Sequence, residues 1–253
     1  MMFDWATQPF YTLGLTFIFG PYFAVVAAEH FMSIGIDEKT ADAQAQSMWS
    51  LGQGVAGLFI AFAGVIIGAY ADSTGRRMPW MIGFSIIYVM ASWLLWYMVP
   101  DVSALWFGLI VFSIGFIAAE FMLIFTNAIL PSLGDEKEVG KISGSGAAIG
   151  YWCGFVAFLI MFALFVESEA GGNTMAGLSP GLGTLDSMER EGTRLVGPFI
   201  AIWFIVFMVP YFLYVREKKE PNRTGGFSSA MSDLWTSLQG VIKRPSLFAF
   251  LGS

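Results

Sequence analysis

Long apolar stretches alternate with short polar clusters along the chain. Six stretches, near 10–28, 48–70, 79–98, 103–130, 144–166 and 196–215, each supply the about 20 residues that a helix needs to cross a bilayer. The runs are long and do not alternate with period two, so the pattern predicts helices and not a barrel. Pro21, Pro100 and Pro131 lie at or near the ends of stretches, where a missing N–H costs least. Gly20-Pro21 is expected to break the first helix. The fourth stretch is the longest and should tilt or reach past the membrane.

Beyond 215 the pattern changes. Residues 216–245 read as a polar, partly amphipathic linker around Leu234, Trp235, Leu238, Val241 and Ile242. Residues 246–253 open another apolar run, Ser246-Leu247-Phe248-Ala249-Phe250-Leu251. That run is too short to span, since a helix rises about 1.5 Å per residue. The fold expected is all-α: a six-helix membrane unit over 1–215, a linker, and the start of a seventh helix.

Charge orients the unit. Ten of the thirteen basic residues fall in 71–78, 131–143 and 216–245, and the other three are Lys39, Arg190 and Arg194. By the positive-inside rule the amino terminus and residues 216–245 are cytoplasmic. The opposite loop at 167–195 is Gly-rich and acidic, and is expected to be mobile or only locally helical. Only 13% of residues are charged, against about 25% in soluble domains. The net charge of −6 comes largely from two loops and says little about nucleic acid, but no basic patch exists for such a partner. One cysteine, Cys153, and one histidine, His30, leave no disulfide, no metal or cofactor site and little from which to build an enzyme. Met1-Met2-Phe3-Asp4 lacks the basic leader of a cleavable signal peptide.

The faces of the helices differ. The second stretch carries Ser50, Gly54, Gly57, Ala61, Gly64, Gly68 and Ala71 at helical spacing, and the fifth carries Ser143, Gly146, Gly150, Gly154 and Ala157. Such stripes let helices approach closely, either as static packing in one bundle or as a shared moving interface. The third and sixth stretches are apolar nearly all round and belong against lipid. The first and fourth hold the buried polarity. Thr12 and Thr16 are one turn apart, with Asp4, Gln8 and Tyr11 on the same side. Ser113, Glu120 and Asn127 recur every seven residues on one stripe of the fourth. No Lys or Arg lies in any stretch, and Glu120 is the one carboxylate well inside them. An isolated carboxylate in lipid costs several kcal/mol, so Glu120 should be protonated, paired or facing water.

Between the second and third stretches stands Gly68-Ala69-Tyr70-Ala71-Asp72-Ser73-Thr74-Gly75-Arg76-Arg77. Taken alone, a basic turn of this kind sets orientation. Its spacing, Gly-x-x-x-Asp-x-x-Gly-Arg-Arg, resembles the second-to-third-helix loop of major facilitator superfamily transporters. Further residues resemble one branch, the vacuolar amino-acid-effluxer-like (autophagy-related) transporters and their bacterial relatives. These are Asp4-Trp5-Ala6 with Thr16-Phe17-Ile18-Phe19-Gly20-Pro21-Tyr22-Phe23, Asn127-Ala128-Ile129-Leu130-Pro131, Ser143-Gly144-x-Gly146-x-x-x-Gly150-Tyr151, and Ala201-Ile202-Trp203-Phe204 with Pro210. Ser73 departs from the pattern, where many members have a basic residue.

The resemblance implies the amino-terminal half of a twelve-helix fold, with the carboxy-terminal half as its partner. Helices one and four would line the cavity, two and five would meet the other half, and three and six would face lipid. It implies a latch loop at Gly68, Asp72, Gly75, Arg76 and Arg77, and an inter-half interface at Gly54, Gly57, Gly64, Gly146, Gly150 and Gly154. The function expected is secondary active transport of a small polar metabolite, an amino acid among the candidates, across a membrane such as the bacterial inner membrane. Glu120, Asn127, Ser113, Thr12 and Thr16 are the candidate pathway for substrate or a coupling proton. A non-transporting scaffold, or a half-length module that dimerises through its glycine stripes, is the alternative.

Overall fold

The computed structural model describes residues 2–74, 77–129, 136–168, 172–215 and 235–236, without the side chains of 72–74 and 136–137. The expected linker and seventh-helix start therefore lie outside the described residues, Trp235 and Thr236 apart. Among the described residues, six helices are long and apolar enough to cross a bilayer: α1 (Met2–Ser33), α2 (Glu38–Ala71), α3 (Met78–Tyr97), α4 (Val102–Ile129), α5 (Glu138–Leu164) and α6 (Glu191–Tyr214). They run longer than the apolar stretches because polar turns continue the same backbone. The amino-terminal region of α2, for example, brings most of the expected 29–47 loop into helix. One end of the bundle, here the near end, holds Met2 and the α2–α3 turn. The far end holds Ser33 and residues 172–195.

Packing sorts the helices. The far half of α1 lies on α2 and its near half on α5 and α6, while α4 packs on α2 and α3, and α3 on α6. Within the most apolar window of each helix, 56% of α1 is buried against 17% of α2, so α1 is an inner helix. The core is aromatic. Phe112 of α4 stacks on Phe10 and Phe19 of α1, at 4.9 and 5.4 Å between ring centroids, and lies 4.7 Å from Trp49 of α2. Tyr88 of α3 extends this cluster to Phe204 of α6 at 4.6 Å. Each such pair contributes about 0.5–1.5 kcal/mol beyond area burial. The outer faces of α3 and α6 are apolar and exposed at Ile86, Ile87, Met90, Ile202, Ile205 and Val206. The inner face of α3 is not bland, since Ser85, Tyr88 and Ser92 are buried there.

The first helix departs from expectation. Its break falls not at Gly20-Pro21 but at Ile18 (φ −122°, ψ −67°), after a π-helical run over Phe10–Phe17. Pro21 sits in the first turn after the break, where its missing N–H is harmless. Gly20 is needed for a different reason: a Cβ there would lie 2.6 Å from the Leu15 carbonyl oxygen and 3.2 Å from Trp49. Pro9 has no N–H, so the Trp5 carbonyl loses its ordinary donor four residues on. Two other helices replace it. Cys153 Sγ of α5 and Trp203 Nε1 of α6 donate to that oxygen at 2.9 and 3.1 Å.

The far end is strapped down. Residues 172–195 contain two short helical turns, Pro180–Gly183 and Glu191–Arg194. The buried Glu167 carboxylate accepts from the Gly192 and Thr193 amides and from the Thr193 hydroxyl, at 2.8, 3.1 and 2.7 Å. Arg194 is buried too; its Nε donates to the Trp96 carbonyl at 2.8 Å, and the guanidinium lies 5.0 Å from the Trp96 ring centroid. Tyr22 donates its hydroxyl to the Met98 carbonyl at 2.8 Å. Asp37 accepts from the Thr40 amide near the start of α2, and Asp101 from the Ser103 amide near the start of α4. Hydrogen bonds from Thr40 and from Ser103 hold both carboxyls below their ordinary value of 3.8. A depressed carboxyl stabilises the fold above its unfolded value and loses that effect as pH falls through its folded value, so both caps persist at neutral pH.

The three-helix joint at the Trp5 carbonyl makes a testable prediction. Trp203→Phe or Cys153→Ala alone leaves one donor, and each should cost about 0.6 kcal/mol, the average for such bonds in membranes. Together they orphan a buried carbonyl, which costs about 1–3 kcal/mol. Unfolding of the purified protein in detergent should therefore show a double-variant loss larger than the sum. Additive losses would mean that the carbonyl is satisfied in some other way.

Candidate functional site

The π-helical turn of α1 sets the site. It lies over Phe10–Phe17 and shifts the helix face, bringing polar residues from successive turns to one side. Thr16 Oγ1 donates to the Tyr11 carbonyl at 2.9 Å, a bond across five residues that suits the wider turn. Gln8 Nε2 reaches Thr12 Oγ1 at 3.5 Å.

These residues form one wall of a groove of about 580 Å³ between α1 and α5. Gln8, Tyr11, Thr12 and Thr16 supply amide and hydroxyl groups, and Phe17 closes the far end of that wall. The opposite wall is Tyr151, Phe155 and Phe158 of α5. Those three sit at i, i+4 and i+7, next to the glycine stripe, so close helix approach and ring wall come from adjacent faces of one helix.

Glu120 stands behind Tyr11. The Tyr11 hydroxyl donates to Glu120 Oε1 at 3.1 Å, joining α1 to α4 across 109 residues of sequence. Glu120 is half-buried, and this contact supplies the partner that an intramembrane carboxylate requires. Thr12 and Thr16, expected on the pathway, line the groove. Ser113 is half-buried and Asn127 exposed, and neither lines it. Tyr11 and the ring wall are not among the expected site residues. Tyr11 is legible in the sequence as part of a polar side, but only the structure shows its bond to Glu120.

The glycine stripes divide. Gly150 meets the Asp4 side chain, and Gly154 meets Gln8 and Thr12, so the fifth-helix stripe is covered by α1 of the same half. Gly146 is buried as well. Gly64 packs on Ile124 and Phe121 of α4. Of the glycines expected at an inter-half interface, Gly64, Gly146, Gly150 and Gly154 are thus covered within this unit. Around Gly54, Gly57 and Gly68, apart from the adjoining residues and backbone of α2 itself, no atom of the described residues lies within 4 Å of where a Cβ would stand.

At the near end, Arg77 Nη1 donates to the Ala128 carbonyl at 2.9 Å. This ties the α2–α3 turn to the last turn of α4, whose carbonyls carry partial negative charge. Gly75, Arg76 and the Asp72 side chain lie outside the described residues.

Comparison with known proteins follows the same line. A family model described as MFS/sugar transport protein matches residues 11–251. The uncharacterized MFS-type transporter YxiO of Bacillus subtilis (strain 168) is 24% identical over 261 residues, covering 99% of this chain and 54% of its own length. The chain therefore spans about half the length of the curated relative it matches. No solved structure matches it. Six apolar helices among the described residues, with the family match, make the chain an integral, multi-pass membrane protein. With the family model covering nearly its whole length, the chain belongs to the major facilitator superfamily of membrane transporters.

Proposed function

We propose that this chain is one half of a secondary transporter that moves a small polar solute by alternating access. The observation that carries the reading is the Tyr11–Glu120 contact of 3.1 Å beside a groove lined with hydroxyl and amide groups. In this reading residues 1–215 form the transporting unit, 216–245 a linker and 246–253 the start of a seventh helix. A second helical half covers the groove and meets α2 at Gly54 and Gly57. The near end and the linker are cytoplasmic, as the basic loops suggest, and a bacterial inner membrane suits the charge pattern.

Glu120 is the coupling group. Protonated, it gives up its charge and frees the Tyr11 hydroxyl to meet a solute; ionised, it holds that hydroxyl. The amino-acid reading, supported by the branch resemblance, adds that the carboxylate receives the substrate ammonium. A polyhydroxylated solute is the second reading, favoured by the ring wall of Tyr151, Phe155 and Phe158 opposite four polar side chains. Sugar C–H faces stack on such rings while their hydroxyls meet the polar wall. Ser113 and Asn127 then lie along the route on α4. At the near end Asp72 acts with Gly68, Gly75, Arg76 and Arg77 as a latch: its charge faces a helix terminus of the other half in one access state only.

Glu120→Gln in the full-length gene product tests the coupling. Uptake into vesicles should lose its pH dependence while insertion persists. If the solute is an amino acid, uptake should also fall at least ten-fold; a sugar should still enter and equilibrate. An unchanged rate and pH profile would remove Glu120 from the mechanism. For the latch, Asp72→Asn should alter accessibility of cysteines at the two ends several-fold, since a charge–dipole contact is worth about 0.3–2 kcal/mol. Labelling that matches the parent at both ends would leave Asp72 an ordinary helix-end residue.

A further inference from the structure

A second cavity, of about 410 Å³, lies beyond the groove toward the far end. Its walls include Pro21 and Tyr22 of α1, Phe162 of α5, and Glu167, Met175 and Arg190 of the far-end segment. Phe17 belongs to the walls of both cavities. Its ring meets Phe158 edge-on at 5.2 Å, and Phe158 lies 4.4 Å from Phe162. Phe158 lines the groove and Phe162 the far cavity, so three rings from two helices stand in a row at the border between them.

The backbone beneath Phe17 departs from regular helix. Phe17 ends the π-helical run, and Ile18 after it has neither α nor 3₁₀ angles. Residues at such a break absorb dihedral changes that a regular helix resists. Phe17 is also 52% exposed, in contrast to Phe10 and Phe19 on either side of it, which are fully buried. This half therefore leaves its ring less enclosed than those of its neighbours.

The two cavities differ in what they offer a solute. In the far one, Glu167 is already engaged by Gly192 and Thr193, and the Tyr22 hydroxyl by Met98. The groove instead gathers Gln8, Tyr11, Thr12 and Thr16. A solute held mainly in the groove needs a barrier between the two, or it returns the way it came.

We propose that Phe17 and Phe158 form a gate between the far cavity and the polar groove, opened when Phe17 swings about the break at Ile18. The proposal rests on the transport reading, since a gate matters only where a solute passes. Its test does not need a substrate. In the full-length protein with every native cysteine, Cys153 included, replaced by Ala, a single cysteine is placed at Gln8, nine residues nearer the near end than Phe17. A charged, membrane-impermeant methanethiosulfonate reagent is added from the far-end side.

Labelling of Gln8→Cys should accelerate at least ten-fold when Phe17→Ala and Phe158→Ala are combined. It should slow with Phe17→Trp, and stay unchanged with Ile202→Ala, on the exposed outer face of α6 away from both cavities. Met175→Cys, in the far cavity, should label at one rate in every background, and elution of each purified variant as a single symmetric size-exclusion peak reports that it is folded. Equal Gln8→Cys rates with and without the two rings would overturn the gate. Because labelling proceeds without uptake, a protein that transports no solute tried can still show the gate. Conversely, active uptake with ring-independent labelling sinks the gate and leaves transport standing.

Discussion

The structure depends on one constraint: inside a bilayer, every backbone polar group needs a partner from the protein. The first helix breaks the regular ladder twice, at Pro9 and at Ile18, and the bundle is arranged to satisfy what those breaks release. Cys153 and Trp203 reach the Trp5 carbonyl from two helices, while the Thr16 hydroxyl serves the Tyr11 carbonyl within the widened turn. Near-end packing of α1 against α5 and α6 is thus a consequence of α1's irregular backbone as much as of its apolar surface.

Those irregularities also make the site. A regular α-helix has 3.6 residues per turn, and on it Gln8, Tyr11, Thr12 and Thr16 would spread over a wider arc. The π-helical run gathers them into one groove wall and aims Tyr11 at Glu120. The ring wall opposite depends on how closely α5 lies on α1. Gly150 and Gly154 permit that approach, since side chains there would strike Asp4 and Thr12. Small residues in membrane helices serve this purpose where no hydrophobic effect draws helices together.

The two ends are held by different chemistry. At the far end a buried arginine and a buried glutamate are each satisfied by backbone groups of neighbouring elements, which fastens the first turn of α6 to α3 and to the residues that follow α5. Charged groups bonded to backbone are worth more than neutral pairs, about 1.5–3 kcal/mol each. At the near end the tie between the α2–α3 turn and the α4 terminus runs through Arg77.

How much is legible from the chain follows from what each feature depends on. Helix number, membrane class and the superfamily loop are local properties of composition and spacing, and the sequence alone determined them. So it is with the isolation of Glu120, because a lone carboxylate in an apolar run is visible without any neighbour. The Tyr11–Glu120 pair was not legible: its partners are 109 residues apart, and its geometry needs a π-helical turn that no residue pattern announced. The glycine stripes show the same limit. Spacing marked them as surfaces of close approach, but a stripe does not say which helix approaches, and tertiary packing gave Gly150 and Gly154 to α1 while leaving Gly54 and Gly57 open among the described residues. Periodicity is written along one helix; the choice of partner belongs to the assembled bundle.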